Sequence, residues 1–93
     1  MKLNFWIPGP LRPMTGGRSR VEVETSGRTL QDGLESLFAA HPGMRDRVLT
    51  EQREIREHVN VFVGNSIARS TGGLATPIED GAEISIIPAI SGG

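Results

Sequence analysis

The chain has 93 residues, enough for one domain with a single modest core and no interdomain cleft. Ten basic residues against eleven acidic ones leave a net charge of −1, which gives neither the basic footprint of a nucleic-acid binder nor a polybasic membrane patch. There is no cysteine, so disulfides, thiol nucleophiles and the commonest zinc ligands are excluded; His41 and His58 alone are too few for a typical catalytic zinc site, and no metal site is expected.

Leu3, Phe5 and Ile7 alternate with Asn4 and Trp6, which predicts a strand with one apolar face. The run is too short for the apolar core of a signal peptide, and no stretch approaches transmembrane length. A cytoplasmic protein is expected. Pro8 to Gly17 holds three prolines and three glycines and reads as a long turn or loop. From Arg20 to Thr25, Val21 and Val23 alternate with Arg20, Glu22 and Glu24, the pattern of a return strand with one face in water.

Thr29 reads as a helix N-cap with Asp32 at the third helical position, a weaker form of the capping box. Leu30, Leu34, Leu37 and Phe38 then form one helical stripe. Gly33 lowers helix propensity by about 1 kcal/mol relative to alanine, and a small residue there allows close approach to a sheet. His41-Pro42-Gly43 ends the helix. Met44 to His58 is polar and charged, with Val48, Leu49 and Ile55 as its only apolar anchors after Met44. It reads as a short helical turn and a solvated surface connection.

Val59, Val61 and Val63 alternate with Asn60 and Phe62, a second clear strand, followed by the turn pair Gly64-Asn65. Ser66 to Arg69 could pair with it briefly. Thr71-Gly72-Gly73 is a turn, and Thr76-Pro77-Ile78 leads to the strong turn signal Asp80-Gly81. Ala82 to Pro88 is the last strand, with Ile84 and Ile86 on one face and Ser85 and Ile87 on the other. A helix with one apolar stripe needs one sheet face to cover, so the chain predicts a two-layer α+β domain over 1–88. The first and last strands are both apolar and are expected to pair in parallel at the centre. Residues 89–93 are expected to form a flexible tail ending in Gly-Gly.

That ending invites a chemical reading. A carboxylate that must enter another protein's active site needs a slim lead, and glycine, lacking Cβ, lets a backbone approach closely. The internal pairs Gly16-Gly17 and Gly72-Gly73 follow a threonine and read as turns.

The strand Val59–Val63, the turn Asp80-Gly81, the strand Glu83–Pro88 and the terminal Gly92-Gly93 together resemble the C-terminal half of the ThiS/MoaD family of ubiquitin-like sulfur carriers. The stretches Ile7–Gly17 (IPGPLRPMTGG) and Ser70–Gly81 (STGGLATPIEDG) resemble the branch that serves cysteine biosynthesis. Residues 43–58 carry no motif of the family. The resemblance implies a β-grasp fold, a mixed sheet of four to five strands with one main helix on one face. It implies a protein cosubstrate with no catalysis and no bound cofactor of its own. An adenylyltransferase similar to ubiquitin-activating enzymes would consume ATP to adenylate the carboxylate of Gly93. A sulfur donor would then leave a thiocarboxylate there. In the cysteine branch that sulfur would pass to a serine derivative on a pyridoxal-phosphate-dependent cysteine synthase, and a metal-dependent protease would restore the tail. The free chain is expected to be a monomer.

For partner binding, Gly92, Ser91 and Ile90 form the expected lead to Gly93. If the helix covers the face bearing Phe5, Val61 and Ile86, then Trp6, Phe62 and Ile87 face the other way and make a candidate docking patch. The competing arrangement folds Leu11, Met14 or residues 43–58 over them. Three other roles share the resemblance or the fold: the small subunit of molybdopterin synthase, a ubiquitin-like modifier joined to lysine through Gly93, and an inert β-grasp interaction module.

Overall fold

The alternating N-terminal residues form strand β1 (Lys2–Trp6), which sits between two neighbours. The computed structural model describes residues 1–88; residues 89–93, and with them the expected tail, lie outside the described residues. Strand β2 (Arg20–Glu24) runs antiparallel to β1, with Phe5 opposite Val21 and Leu3 opposite Val23. Strand β5 (Glu83–Pro88) runs parallel to β1 on its other side, with Phe5 level with Ile84. Strand β3 (Val59–Val63) is antiparallel to β5, and the two-residue strand β4 (Ser66–Ile67) closes the hairpin on β3. The sheet therefore has five strands in the order β2-β1-β5-β3-β4, and the first and last long strands do pair in parallel at its centre.

Helix α1 (Leu30–Ala40) crosses one face. Its stripe of Leu30, Leu34, Leu37 and Phe38 is buried against Leu3, Phe5, Val21, Val23, Val61, Ile84 and Ile86. The predicted cap is present in full. Thr29 Oγ1 accepts from the Asp32 N–H at 3.3 Å, and Asp32 Oδ2 accepts from the Thr29 N–H at 3.2 Å. The Thr29 hydroxyl also donates to Asp32 Oδ2 at 2.8 Å. That hydroxyl, followed by the backbone N–H groups of Thr29 and Arg28, holds the Asp32 carboxyl below its ordinary pKa despite some opposing burial. Gly33 lies directly over β1: a Cβ there would stand 2.6 Å from Leu3 Cδ1, so the small residue does set the helix-to-sheet spacing.

Residues 8–17 depart from the expected irregular loop. Gly9–Thr15 coil into a 3₁₀ helix, with Pro10 in its first turn where an N–H is not needed. Leu11 and Thr15 turn inward; Thr15 Oγ1 bonds the carbonyls of Arg12 at 3.1 Å and Arg18 at 2.9 Å, which closes the coil. Residues 66–69 also differ. β4 ends at Ile67 because Ala68 is fully buried and starts the one-turn helix α3 (Ala68–Thr71). Residues 45–48 form the expected helical turn, α2 (Arg45–Val48), and Met44, Val48 and Leu49 enter the core. Residues 51–58 are exposed apart from half-buried Ile55.

An extended strap, Thr76-Pro77-Ile78, crosses the start of α1. The Thr76 carbonyl accepts from the Leu30 N–H at 2.8 Å, satisfying one of the helix's otherwise unpaired N-terminal donors.

Thr29→Ala should cost about 1 kcal/mol in chemical denaturation through loss of the cap. Because the folded-state pKa of Asp32 is lowered, its contribution is present above the unfolded value of about 3.9 and is lost as pH falls through the folded value. Asp32→Asn should flatten that acid limb of the stability curve. Gly33→Ala gains helix propensity of about 1 kcal/mol but meets fully buried Leu3, where overpacking costs about 1–3 kcal/mol. Net destabilisation is expected, relieved when Leu3→Val is added; a more stable single variant would refute the close-packing account.

Candidate functional site

The sheet face opposite α1, which no other described element covers, is organised by register. Along one cross-strand row, Arg20, Trp6, Ser85 and Phe62 stand level, followed by Ile67. Ile87 lies one pleat further along β5, level with Asn60. Among the described residues, Trp6 and Ile87 are the exposed large hydrophobics, at 44% and 43% exposure, and Phe62 is half-buried. The structure thus brings the three sequence-selected residues to one face. Small Ser85 separates the two aromatic positions and lies in a hollow whose walls include Asn4, Trp6, Arg20, Glu83 and Ile87.

The residues that could have covered this face lie elsewhere. Leu11 is buried in the core, Met14 packs against that core and beside Gly43, and Met44, Val48 and Leu49 are core residues. One side chain does lean over the patch: the Arg12 guanidinium carbon stands 5.5 Å from the centre of the Trp6 ring. Its Nε donates to the Ile7 carbonyl at 3.1 Å, which fixes the guanidinium there. Arg20 bridges from β2 across β1 to Glu83, Nη2 to Oε1 at 2.6 Å. Both partners are more than half exposed, so the bridge contributes little stability and mainly sets the rim of the hollow.

Neither placement, Arg12 on Trp6 or Arg20 on Glu83, is legible in the sequence. No linear signal carried them. The first depends on the 3₁₀ coil, and the second joins residues from opposite ends of the chain.

β1 and β5 are parallel, so Trp6, near the end of β1, and Ile87, near the end of β5, share one end of the sheet. Pro88 is opposite Val59 and has no N–H with which to extend the ladder. The patch therefore lies beside the point from which residues 89–93 continue. The selected residues Ile90, Ser91, Gly92 and Gly93 are themselves outside the described residues. Among the described residues, no cluster of three or more His, Cys, Asp or Glu side chains converges in a way that could hold a metal. No helix among them is long and apolar enough to cross a membrane.

Residues 5–93 match the ThiS family, a span that includes both the patch and the terminal Gly92-Gly93. The chain belongs to the ThiS family. This ThiS-family chain is 37% identical over 95 aligned positions to the sulfur carrier protein CysO of Mycobacterium tuberculosis, covering 100% of both. It is 30% identical to small archaeal modifier protein 3 of Haloferax volcanii, again over 100% of both chains. Among solved structures, it superposes on a chain of the Amycolatopsis orientalis BexX/CysO complex with a TM-score of 0.87 and 32% identity. That alignment covers 98% of this chain and 99% of the other. The fold is accordingly the ubiquitin-like β-grasp, with five strands where four to five were expected.

Arg12→Ala should remove a cation–π contact of about 0.5–1 kcal/mol. Trp6 is the only tryptophan, so the change should also shift the intrinsic fluorescence emission. An unchanged emission spectrum would show that Arg12 does not rest on the ring.

Proposed function

We propose that this protein is a cytoplasmic sulfur carrier, most simply one that supplies cysteine biosynthesis, and that it has no catalytic activity of its own. The observation that carries the reading is the family match running from the core of β1 to Gly93, together with full-length identity to a protein named as a sulfur carrier. In this reading an adenylyltransferase similar to ubiquitin-activating enzymes docks on Trp6, Phe62 and Ile87. The lead Ile90-Ser91-Gly92 then enters its active site. The carboxylate of Gly93 attacks the α-phosphate of ATP, and pyrophosphate leaves. A sulfur donor displaces AMP, and the resulting thiocarboxylate is the carried sulfur. The acceptor is held by a pyridoxal-phosphate-dependent cysteine synthase, and a metal-dependent protease frees the product and the tail. The carrier binds no cofactor; ATP is the partner's substrate.

The physical support is the shared end of the sheet. A partner seated on the patch lies next to Pro88, so docking and delivery of residues 89–93 are one event. Exposed aromatic and aliphatic side chains beside a small polar floor suit a docking site whose energy is concentrated in a few residues.

The identity to a protein named as a modifier favours a second reading, in which Gly93 is joined to a lysine of another protein. The two separate by mass spectrometry of the C-terminal peptide after incubation with host extract, ATP and sulfide. A carrier gives an intact chain with sulfur replacing one oxygen at Gly93, whereas a modifier gives a lysine-linked conjugate. Finding neither product would leave an inert module. Adding one residue after Gly93 should abolish both products unless a protease trims it.

Trp6→Ala should weaken adenylyltransferase binding by about 2 kcal/mol or more while changing stability far less. If stability collapses while the surviving folded fraction binds normally, the patch is not the docking site.

A further inference from the structure

The strand cations on the face opposite α1 are paired. Lys2 Nζ stands 3.9 Å from Glu22 Oε1, and Arg20 Nη2 stands 2.6 Å from Glu83 Oε1. Arg12 differs. It comes from the 3₁₀ coil rather than a strand and is half-buried. Among the described residues, no carboxylate lies within 4.0 Å of it. Its Nε donates to the Ile7 carbonyl at 3.1 Å, while neither terminal nitrogen has an acceptor among those residues. A half-buried charge without a counterion thus sits at the end of the sheet that also carries Trp6 and Ile87.

That guanidinium decides what can sit on Trp6. Its carbon stands 5.5 Å from the ring centre and the Nε bond holds it there, so a surface that covers the ring covers the guanidinium too. Arginine keeps its charge at physiological pH and cannot escape burial by losing a proton. A purely apolar cover would strip its water and supply no acceptor, which costs more than contact with Trp6 gains. A basic cover would add repulsion. A carboxylate supplies the opposite charge and two oxygens that match the fork of the terminal nitrogens. Arg20 does not offer the same site, because Glu83 already holds it. Glu22 and Glu83 on this face, with a net charge of −1, oppose an extended phosphate surface such as nucleic acid or an anionic membrane. A single protein carboxylate is the anion that fits.

We propose that Arg12 is the specificity-determining residue of the docking patch, and that it takes an Asp or Glu carboxylate of the partner protein. Next to that carboxylate the partner sets an apolar side chain into the hollow at Ser85, between Trp6 and Ile87. This assignment rests on the reading of the face as the docking site of an adenylyltransferase. The apolar anchor fits many protein surfaces, whereas the carboxylate requirement rejects those that are neutral or basic at the matching point. Arg12 therefore selects which activating enzyme reads the patch, and Trp6 both anchors that enzyme and presents the selecting charge.

The test measures binding of the full chain to the adenylyltransferase of its host, without ATP or sulfide, so that sulfur chemistry does not enter. Arg12→Gln should weaken binding by about tenfold or more, mainly through faster dissociation, and Arg12→Glu should weaken it further. Rising salt should weaken the unaltered pair more steeply than the Arg12→Gln pair. Arg47→Glu makes the same charge change on α2, whose Val48 joins the core on the α1 side, and should leave affinity unchanged. A second measurement uses the scarcity of amines. Lys2→Arg removes the only lysine, and Arg12→Lys places an amine at position 12 while keeping the charge. With the partner in saturating excess, a carbodiimide should join position 12 to an Asp or Glu of the partner, located by peptide mass spectrometry. If Trp6→Ala weakens binding and Arg12→Gln does not, the role of Arg12 is overturned and the docking face stands. If neither weakens binding, the docking face falls and Arg12 with it. A bound chain that gives no carbodiimide link from position 12 overturns the carboxylate.

Discussion

The parallel pairing of β1 with β5 is the constraint on which the rest of the structure depends. It joins the two ends of the chain, so almost every intervening residue must form the crossover between them. The pairing starts from a cluster of short bonds. Asp80 Oδ1 accepts from the Lys2 N–H at 2.6 Å, the Gly81 N–H donates to the Lys2 carbonyl at 2.7 Å, and the Asn4 N–H donates to the Ala82 carbonyl at 3.0 Å. Gly81 holds φ at 83°, a left-handed conformation that glycine adopts without strain. Asp80-Gly81 thus does more than turn the chain. It sets the register in which β5 meets β1, and every residue of β5 inherits its face from that register.

From that register follow both sides of the sheet. Ile84 and Ile86 join Phe5 and Val61 beneath α1, where Gly33 lets the helix sit close to Leu3. Ser85 and Ile87 turn the opposite way and complete a row with Trp6 and Phe62. A slip of β5 by one residue would exchange the two sets and turn Ile87 under the helix, away from Trp6 and Phe62. The direction of the pairing matters as much. Parallel strands finish at the same end, which brings Trp6 near the last described residue, Pro88; an antiparallel arrangement would separate them by the length of the sheet. The same geometry carries Lys2 to the far end, away from the continuing chain.

Much of the fold was legible because its signals are local. Two-residue alternation marked the long strands, the stripe from Leu30 to Phe38 marked the helix, and Thr29 with Asp32 marked its start. Two segments were misread for a common reason. In residues 8–17 the prolines and glycines state that regular strand is impossible, but not that Leu11 and Thr15 will turn inward and tighten the segment into a 3₁₀ helix. At residues 66–69 a strand pattern gives way because burial of Ala68 outweighs local propensity. Of the candidate site, Trp6, Phe62 and Ile87 could be chosen from alternation alone, because whatever does not face the helix must face away from it. Their partners could not be chosen that way, since Arg12 and the Arg20–Glu83 bridge depend on coil geometry and strand order.

The amino-acid sequence by itself determined which residues could be buried, where the helix starts, which turns need glycine, and the chemistry on offer: a Gly-Gly end, one lysine and no thiol. These are properties of residue type and short spacing, and they need no knowledge of distant neighbours. Tertiary structure alone decided the register in which the first and last strands meet, that Ser85 separates two aromatic positions, that Arg12 rests on Trp6, and that Arg20 reaches Glu83. The strand register is set by hydrogen bonds between residues 2–4 and 80–82 and the placement of Arg12 by the 3₁₀ coil, and no local pattern along the chain encodes either.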